Sequence, residues 1–290
     1  MAAAEPLTDA AMPPRDRGLF GPASVTWRVH GSPTVALVGG LRALLVQSLH
    51  PLAMAGVAQH SDYRARPLDR LRRTAEFVAT TTFGDTAQAA RAARRVRAVH
   101  RRVRGVDPVT GAAYSADDPE TQVWIHTVEI HSFLAAHRVY GGDRLTAAEE
   151  DRYFAENVAV AELLGTPGDR VPATVEEVRA YFAAVRPRLC VSDAARDAIS
   201  FVVAPPLNAQ LAPYWPALRV LGRAAVALVP SDLRRLAGID GSAAVDTIAY
   251  LQVHAMARLL TLPGARDLLG HALGARTREV ALAARRDSNP

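Results

Sequence analysis

Apolar positions recur at helical spacing along most of the chain, and no segment shows strict apolar/polar alternation bounded by turn residues. Start and stop signals divide this pattern into helices. Ser32 followed by Pro33 opens one that runs to about 49, and Pro67 opens another that runs to about 82 before Gly84. A third, at about 86–103, is rich in Ala and Arg and stops at Gly105. The segment 107–118 holds Asp-Pro, Thr-Gly and Asp-Asp and reads as a loop. Asp118 and Pro119 start a helix that ends at Gly141-Gly142. Thr146 with Glu149 forms a capping box for the next, which runs to about Gly165. Thr174 with Glu177 opens another, to about Arg186. Ser192-Asp193 caps a helix that Pro205-Pro206 terminates. A proline-punctuated apolar segment, a helix to Val229, a long helix at about 242–262 and a short one complete the pattern. There is no repeat of 20–50 residues and no long linker. The expectation is one all-α domain of about ten helices over 19–284, with a disordered arm at 1–18 and a polar tail at 285–290.

Composition agrees and adds exclusions. The chain has 290 residues, is 49% hydrophobic and only 6% aromatic, so close-packed helices suit it better than a strand-rich sandwich. All 34 basic residues are arginine. Without lysine, a Schiff base or a phosphate-cradling P-loop lysine is impossible. The net charge of +5 is spread along the chain without a nucleic-acid-reading motif, so no nucleic-acid partner is expected. The single cysteine, Cys190, can form neither an internal disulfide nor a multi-cysteine metal site. It reads as a small buried hydrophobe, and a reducing, cytoplasmic setting is expected. The first 18 residues lack a secretory pattern. The most apolar stretches, 35–58 and 199–218, are interrupted by polar residues or prolines, so no integral membrane segment is expected. A peripheral membrane contact stays open.

HExxH, Glu-x-x-His, GxSxG and GxGxxG are all absent. Nine histidines remain. His126, His131 and His137 share one helix, but His126 and His137 lie about 16 Å apart in rise, too far to share an ion. Two other faces stand out. Arg70, Thr74 and Phe77 fall at i, i+4, i+7, with Arg73 beside them. Arg97, His100 and Arg104 fall at i, i+3, i+7, bordered by Val96 and Val103. On spacing alone the second set also reads as a solvated basic face.

Taken in order, further motifs accompany these faces: His50-Pro51, Gly56-Val57, Ser61, Arg73-Thr74, Phe83-Gly84, Arg97-x-x-His100, Gly105, Tyr114, Asp117-Asp118-Pro119, Trp124-x-His126, Leu164-Gly165 and Glu176-Glu177. Over about residues 25–275 the pattern resembles the oxygenase family of the latex clearing protein, a bacterial rubber oxygenase, and of the fungal enzyme that cleaves a farnesyl chain in mycophenolic acid biosynthesis.

The resemblance implies a globin-like helical packing around haem b (heme b). His100 would be the iron ligand. Arg70 and Thr74 would lie by the haem, with Arg97 or Arg104 pairing with a propionate, and a dioxygen-dependent reaction would take place on an apolar substrate. Two departures follow from this chain's residues. Arg73 stands where rubber-cleaving members carry a lysine; it can donate a hydrogen bond but offers no lone pair to a metal. The stretch matching their glutamate base lies near Met54, and no acidic residue occurs between Asp16 and Asp62. Gln59 and His60 are the nearest polar candidates. Arg73 and Thr74 are the catalytic candidates, Thr74 as a buried distal hydroxyl. The substrate expected is a small or medium isoprenoid or secondary metabolite rather than a polymer. Two alternatives are a haem carrier or sensor without turnover, and a non-haem helical protein docking an acidic partner on the basic face 91–104.

Overall fold

The structure, a computed structural model, describes residues 16–239 and 241–259 together with 274 and 277. The expected helix continuing to 262, the short helix after it, His271, the polar tail and most of the N-terminal arm lie outside the described residues.

Among the described residues there are twelve α-helices and one small hairpin. They are α1 (Val25–His30), α2 (Pro33–Gln47), α3 (Pro51–His60), α4 (Pro67–Phe83), α5 (Thr86–His100), α6 (Pro119–Tyr140), α7 (Ala147–Leu164), α8 (Val175–Val185), α9 (Asp193–Val203), α10 (Trp215–Ala227), α11 (Ser231–Ala237) and α12 (Ala243–Leu259). The predominantly all-α reading therefore stands. The caps read from the sequence are in place. The side chains of Ser32, Asp118, Thr146, Thr174 and Ser192 each accept a backbone N–H of their helix's first turn, groups that otherwise lack an intrahelical partner. Thr146 and Glu149 form the full reciprocal box. At Thr174 only half of it forms, because the Glu177 carboxylate accepts from the Ala173 N–H instead.

α6 is the central helix. Most of its circumference is buried, as Trp124, Val128, Leu134 and Ala136 show, and this is why the sequence there carries no one-sided apolar stripe. Its most extensive packing is against α2, where Gly39 of α2 lets the two backbones approach closely. One core cluster joins Leu45, Val46 and Leu49 to Trp124, Val128 and Ile199. A second joins Val25 and Val29 to Phe133, Leu134, Tyr153 and Phe154.

The structure departs from the sequence reading in three places. First, α1, α3 and α11 are additional helices. Pro51 starts α3 at a bend of 107° from α2, so the apolar run 35–58 is two core helices. No described helix is long and apolar enough to cross a membrane; the bent α2–α3 pair meets that test on length and composition only. Second, α5 ends at His100, and the chain continues into β1 (Arg104–Val106), which pairs antiparallel with β2 (Ala113–Ser115), Gly105 opposite Tyr114. A side chain at Gly105 would put its Cβ 2.7 Å from the Tyr114 hydroxyl, so glycine permits the pairing. Third, the supposed loop contains β2 and an Asx turn, in which buried Asp107 accepts from the Thr110 N–H and hydroxyl.

Candidate functional site

α4 and α5 form a helical hairpin whose closed end is tightly tied. Gly84 ends α4, and a Cβ there would meet the Thr80 carbonyl at 2.6 Å. Asp85 and Gln88 form a reciprocal capping box for α5. Asp16, at the end of the N-terminal arm, accepts from the Thr86 N–H and hydroxyl. The Trp27 indole donates to the Thr82 carbonyl at 2.7 Å. At about 1.5 Å of rise per residue, Arg70 and His100 each stand about 20 Å from this turn, so the hairpin brings them to the same open end.

His100, the last residue of α5, is partly buried, and its Nδ1 is buried with no hydrogen-bond partner. Burial lowers its pKa, partly opposed by Asp117, so the ring is held toward the neutral form. One turn earlier, Arg97 is half-buried, with a buried Nε that also lacks a partner. Its guanidinium lies against Gly165, the left-handed C-cap of α7 (φ 97°); a Cβ there would come within 3.1 Å of it. Arg70 donates through Nη1 to the Ser61 hydroxyl at 2.6 Å. Burial, then the charge of Arg73, lowers the Arg70 pKa, and no carboxylate pairs with it among the described residues. His100, Arg97 and Arg70 thus all stand toward the open end of the two helices, His100 and Arg97 each with a buried nitrogen that lacks a partner and Arg70 without a carboxylate among the described residues; guanidiniums in that state suit a ligand bearing carboxylates.

Other expected residues are placed differently. Thr74 is exposed, so it is not the buried hydroxyl expected of it. Arg73 is also exposed, and its Nε donates back to the Asp69 carbonyl at 3.2 Å. Arg104 does not share a helical face with Arg97 and His100. It lies exposed in β1, because α5 stops before it. Gln59 and His60 clamp the β1–β2 hairpin: Gln59 donates to the Val106 carbonyl and accepts from the Tyr114 hydroxyl, and the His60 ring contacts the Arg104 carbonyl. Met54 is buried in the core at 2% exposure. Cys190 is partly rather than fully buried; burial, then Asp107, raises its thiol pKa, which opposes nucleophilic use.

Several interior groups were not anticipated as a set. His126 is fully buried, with an unpartnered Nε2 and a pKa pushed down to about 4 by burial. Glu129, one turn on, has its pKa raised to about 7 by burial. His30 bridges the Tyr153 hydroxyl at 2.9 Å and the Thr82 hydroxyl at 3.2 Å. The sequence signal for Glu129 was a lone acid in the apolar stretch of α6, and its burial depends on what packs around α6, which spacing along α6 does not report. Among the described residues no three His, Cys, Asp or Glu side chains converge as a metal set.

Residues 27–262 match the family model described as ER-bound oxygenase mpaB/B'/Rubber oxygenase, catalytic domain. No curated protein and no solved structure matches the chain significantly.

Proposed function

Because the chain belongs to the family of the mpaB and rubber oxygenase catalytic domains and is thereby an oxygenase, an oxidoreductase, we propose that it is a haem b-dependent oxygenase of a small or medium apolar substrate, with His100 as the iron ligand. The observation that carries this reading is the pair of buried, unpartnered nitrogens at the end of α5, His100 Nδ1 and Arg97 Nε. A neutral imidazole is the protonation state a metal requires. A porphyrin brings four nitrogens of its own, so one protein ligand is sufficient. Arg97, with its buried and unpartnered Nε, suits a propionate, and Arg70 offers a second guanidinium on the facing helix. When bound, haem supplies the oxidative chemistry with dioxygen.

The chain's own residues have narrower tasks. His100 and Arg97 hold and orient the group. Ser61 fixes Arg70. Thr74 shares the Arg70 face of α4 and contributes a hydroxyl at its open edge. Arg73, held to the Asp69 carbonyl, takes no part, and Arg104 only shapes the β1–β2 hairpin. With buried Met54 in the stretch where a base is expected, the substrate is better matched by an isoprenoid or secondary metabolite than by rubber. The test is oxygen uptake with labelled dioxygen, comparing farnesyl-length isoprenoids with polyisoprene. Label entering the short product supports the reading. Cleavage of polyisoprene alone contradicts the substrate assignment, and no uptake with any apolar substrate by haem-loaded protein contradicts turnover.

A further inference from the structure

A second buried cation, Arg42, lies among α2, α6 and the C-terminal end of α10, beside α8 and α11. Arg42 is only 2% exposed. Its Nε donates to the Leu228 carbonyl at 2.9 Å, and its Nη1 donates to the Ser132 hydroxyl at 2.6 Å and approaches His131 Nδ1 at 3.3 Å. The Ser132 hydroxyl donates in turn to the Val128 carbonyl, so it receives the guanidinium as an acceptor. None of these partners is charged: two are neutral oxygens, and burial holds His131 well toward its neutral form. No carboxylate pairs with Arg42 among the described residues, and Nη2 has no partner there. A buried charge left without a counter-ion is costly, and a charged ligand relieves that cost.

Arg42 also lines a cavity of about 140 Å³. Val46, Trp124, Phe182 and Leu233 form its apolar walls. The Phe182 ring stands edge-on to Trp124 at 6.2 Å and to His131 at 5.0 Å. Arg186 and Asp232 also line it and pair with each other at 2.8 Å; both are partly exposed, which places them toward the mouth. They cancel, so the lining keeps one unneutralised positive charge, that of Arg42. An apolar cavity of about 150 Å³ accommodates a benzene ring, so this volume fits one six-membered ring or a branched chain of similar size. An inorganic anion would satisfy the guanidinium and leave the aromatic walls unused.

We propose that this cavity binds a compact organic carboxylate, its carboxylate on the free edge of Arg42 and its apolar body between Trp124, Phe182 and Leu233. The site shares no residue with the end of the α4–α5 hairpin and does not depend on the oxygenase chemistry. The probe is benzoate, titrated by calorimetry into the full chain as purified, with absorption spectra recorded in parallel to separate binding at any haem. Expected are saturable one-to-one binding without a spectral change, a raised melting temperature, and at least tenfold weaker binding of benzyl alcohol. Arg42→Gln should weaken benzoate at least tenfold. Because Arg42 also ties α2 to α6, Leu233→Trp provides a second variant, which fills the cavity with the guanidinium intact and should abolish binding. Absence of benzoate binding to the folded wild-type chain, or full binding by folded Leu233→Trp, would overturn the proposal. Equal stabilisation by sodium chloride would overturn it in favour of an inorganic anion.

Discussion

Two neighbouring glycines in α2 should answer the same substitution in opposite directions. A Cβ on Gly39 would lie 2.7 Å from Cδ1 and 2.9 Å from Cα of Phe133, and 3.1 Å from the Ser132 carbonyl oxygen. Two of these three atoms are backbone of α6, so they cannot turn aside as a flexible side chain would. A Cβ on Gly40 meets nothing within 4 Å. Replacing a mid-helix glycine with alanine gains about 1 kcal/mol in helix propensity. Overpacking a close contact costs about 1–3 kcal/mol, and the Gly39 site belongs at or above the upper end because α2 and α6 must separate along their largest contact. Gly39→Ala should therefore lose about 2 kcal/mol or more net, lowering the melting temperature by roughly 4–8 °C at about 2–4 °C per kcal/mol. Gly40→Ala should gain about 0.5–1 kcal/mol. Urea and thermal unfolding followed by circular dichroism measure both. A Gly39→Ala protein as stable as wild type, or as stable as Gly40→Ala, would refute the close approach of the two helices.

Arg97→Ala should keep the fold but weaken haem retention tenfold or more, since a hydrogen bond to a charged group contributes about 1.5–3 kcal/mol; haem transfer to apomyoglobin follows the loss. Glu129 has its pKa raised from 4.5 to about 7, so the folded state holds its proton more tightly than the unfolded chain does. Its effect on stability is therefore small below about pH 4.5, and a destabilisation accrues as pH rises from about 4.5 to 7, reaching about 3 kcal/mol. Glu129→Gln should remove that loss, seen as a gain in stability at pH 8 that vanishes near pH 4. Thr146→Ala removes the side-chain acceptor for the Glu149 N–H and should cost about 1 kcal/mol by urea unfolding. Arg73→Lys should leave the absorption spectrum of the haem-loaded protein unchanged from neutral to alkaline pH, because residue 73 is exposed.

Helix starts were the most legible part of the fold, because Ser, Thr or Asp caps and proline at the first position act locally. Ser32-Pro33, Asp118-Pro119 and Thr146 are examples. α3 was missed although His50-Pro51 carries such a signal, because the apolar run across it masked the bend. Arg104 was misassigned for a tertiary reason: the spacing from Arg97 continued, but the pairing of Gly105 with Tyr114 ended the helix first. Of the candidate site, Arg70, Arg97 and His100 were readable as one-sided spacings on two helices joined by Phe83-Gly84. The exposure of Thr74 and the isolation of Arg42 from acids depend on what the neighbouring helices present, and no spacing records that.

His100 as the single haem ligand is tested most directly by the absorption spectrum of the full chain expressed with a haem precursor, recorded for wild type and for His100→Ala. The account predicts a Soret band with close to one haem per wild-type chain, lost in His100→Ala while helicity by circular dichroism persists. A wild-type chain without a Soret band, or a His100→Ala chain with undiminished haem and the wild-type spectrum, would contradict it.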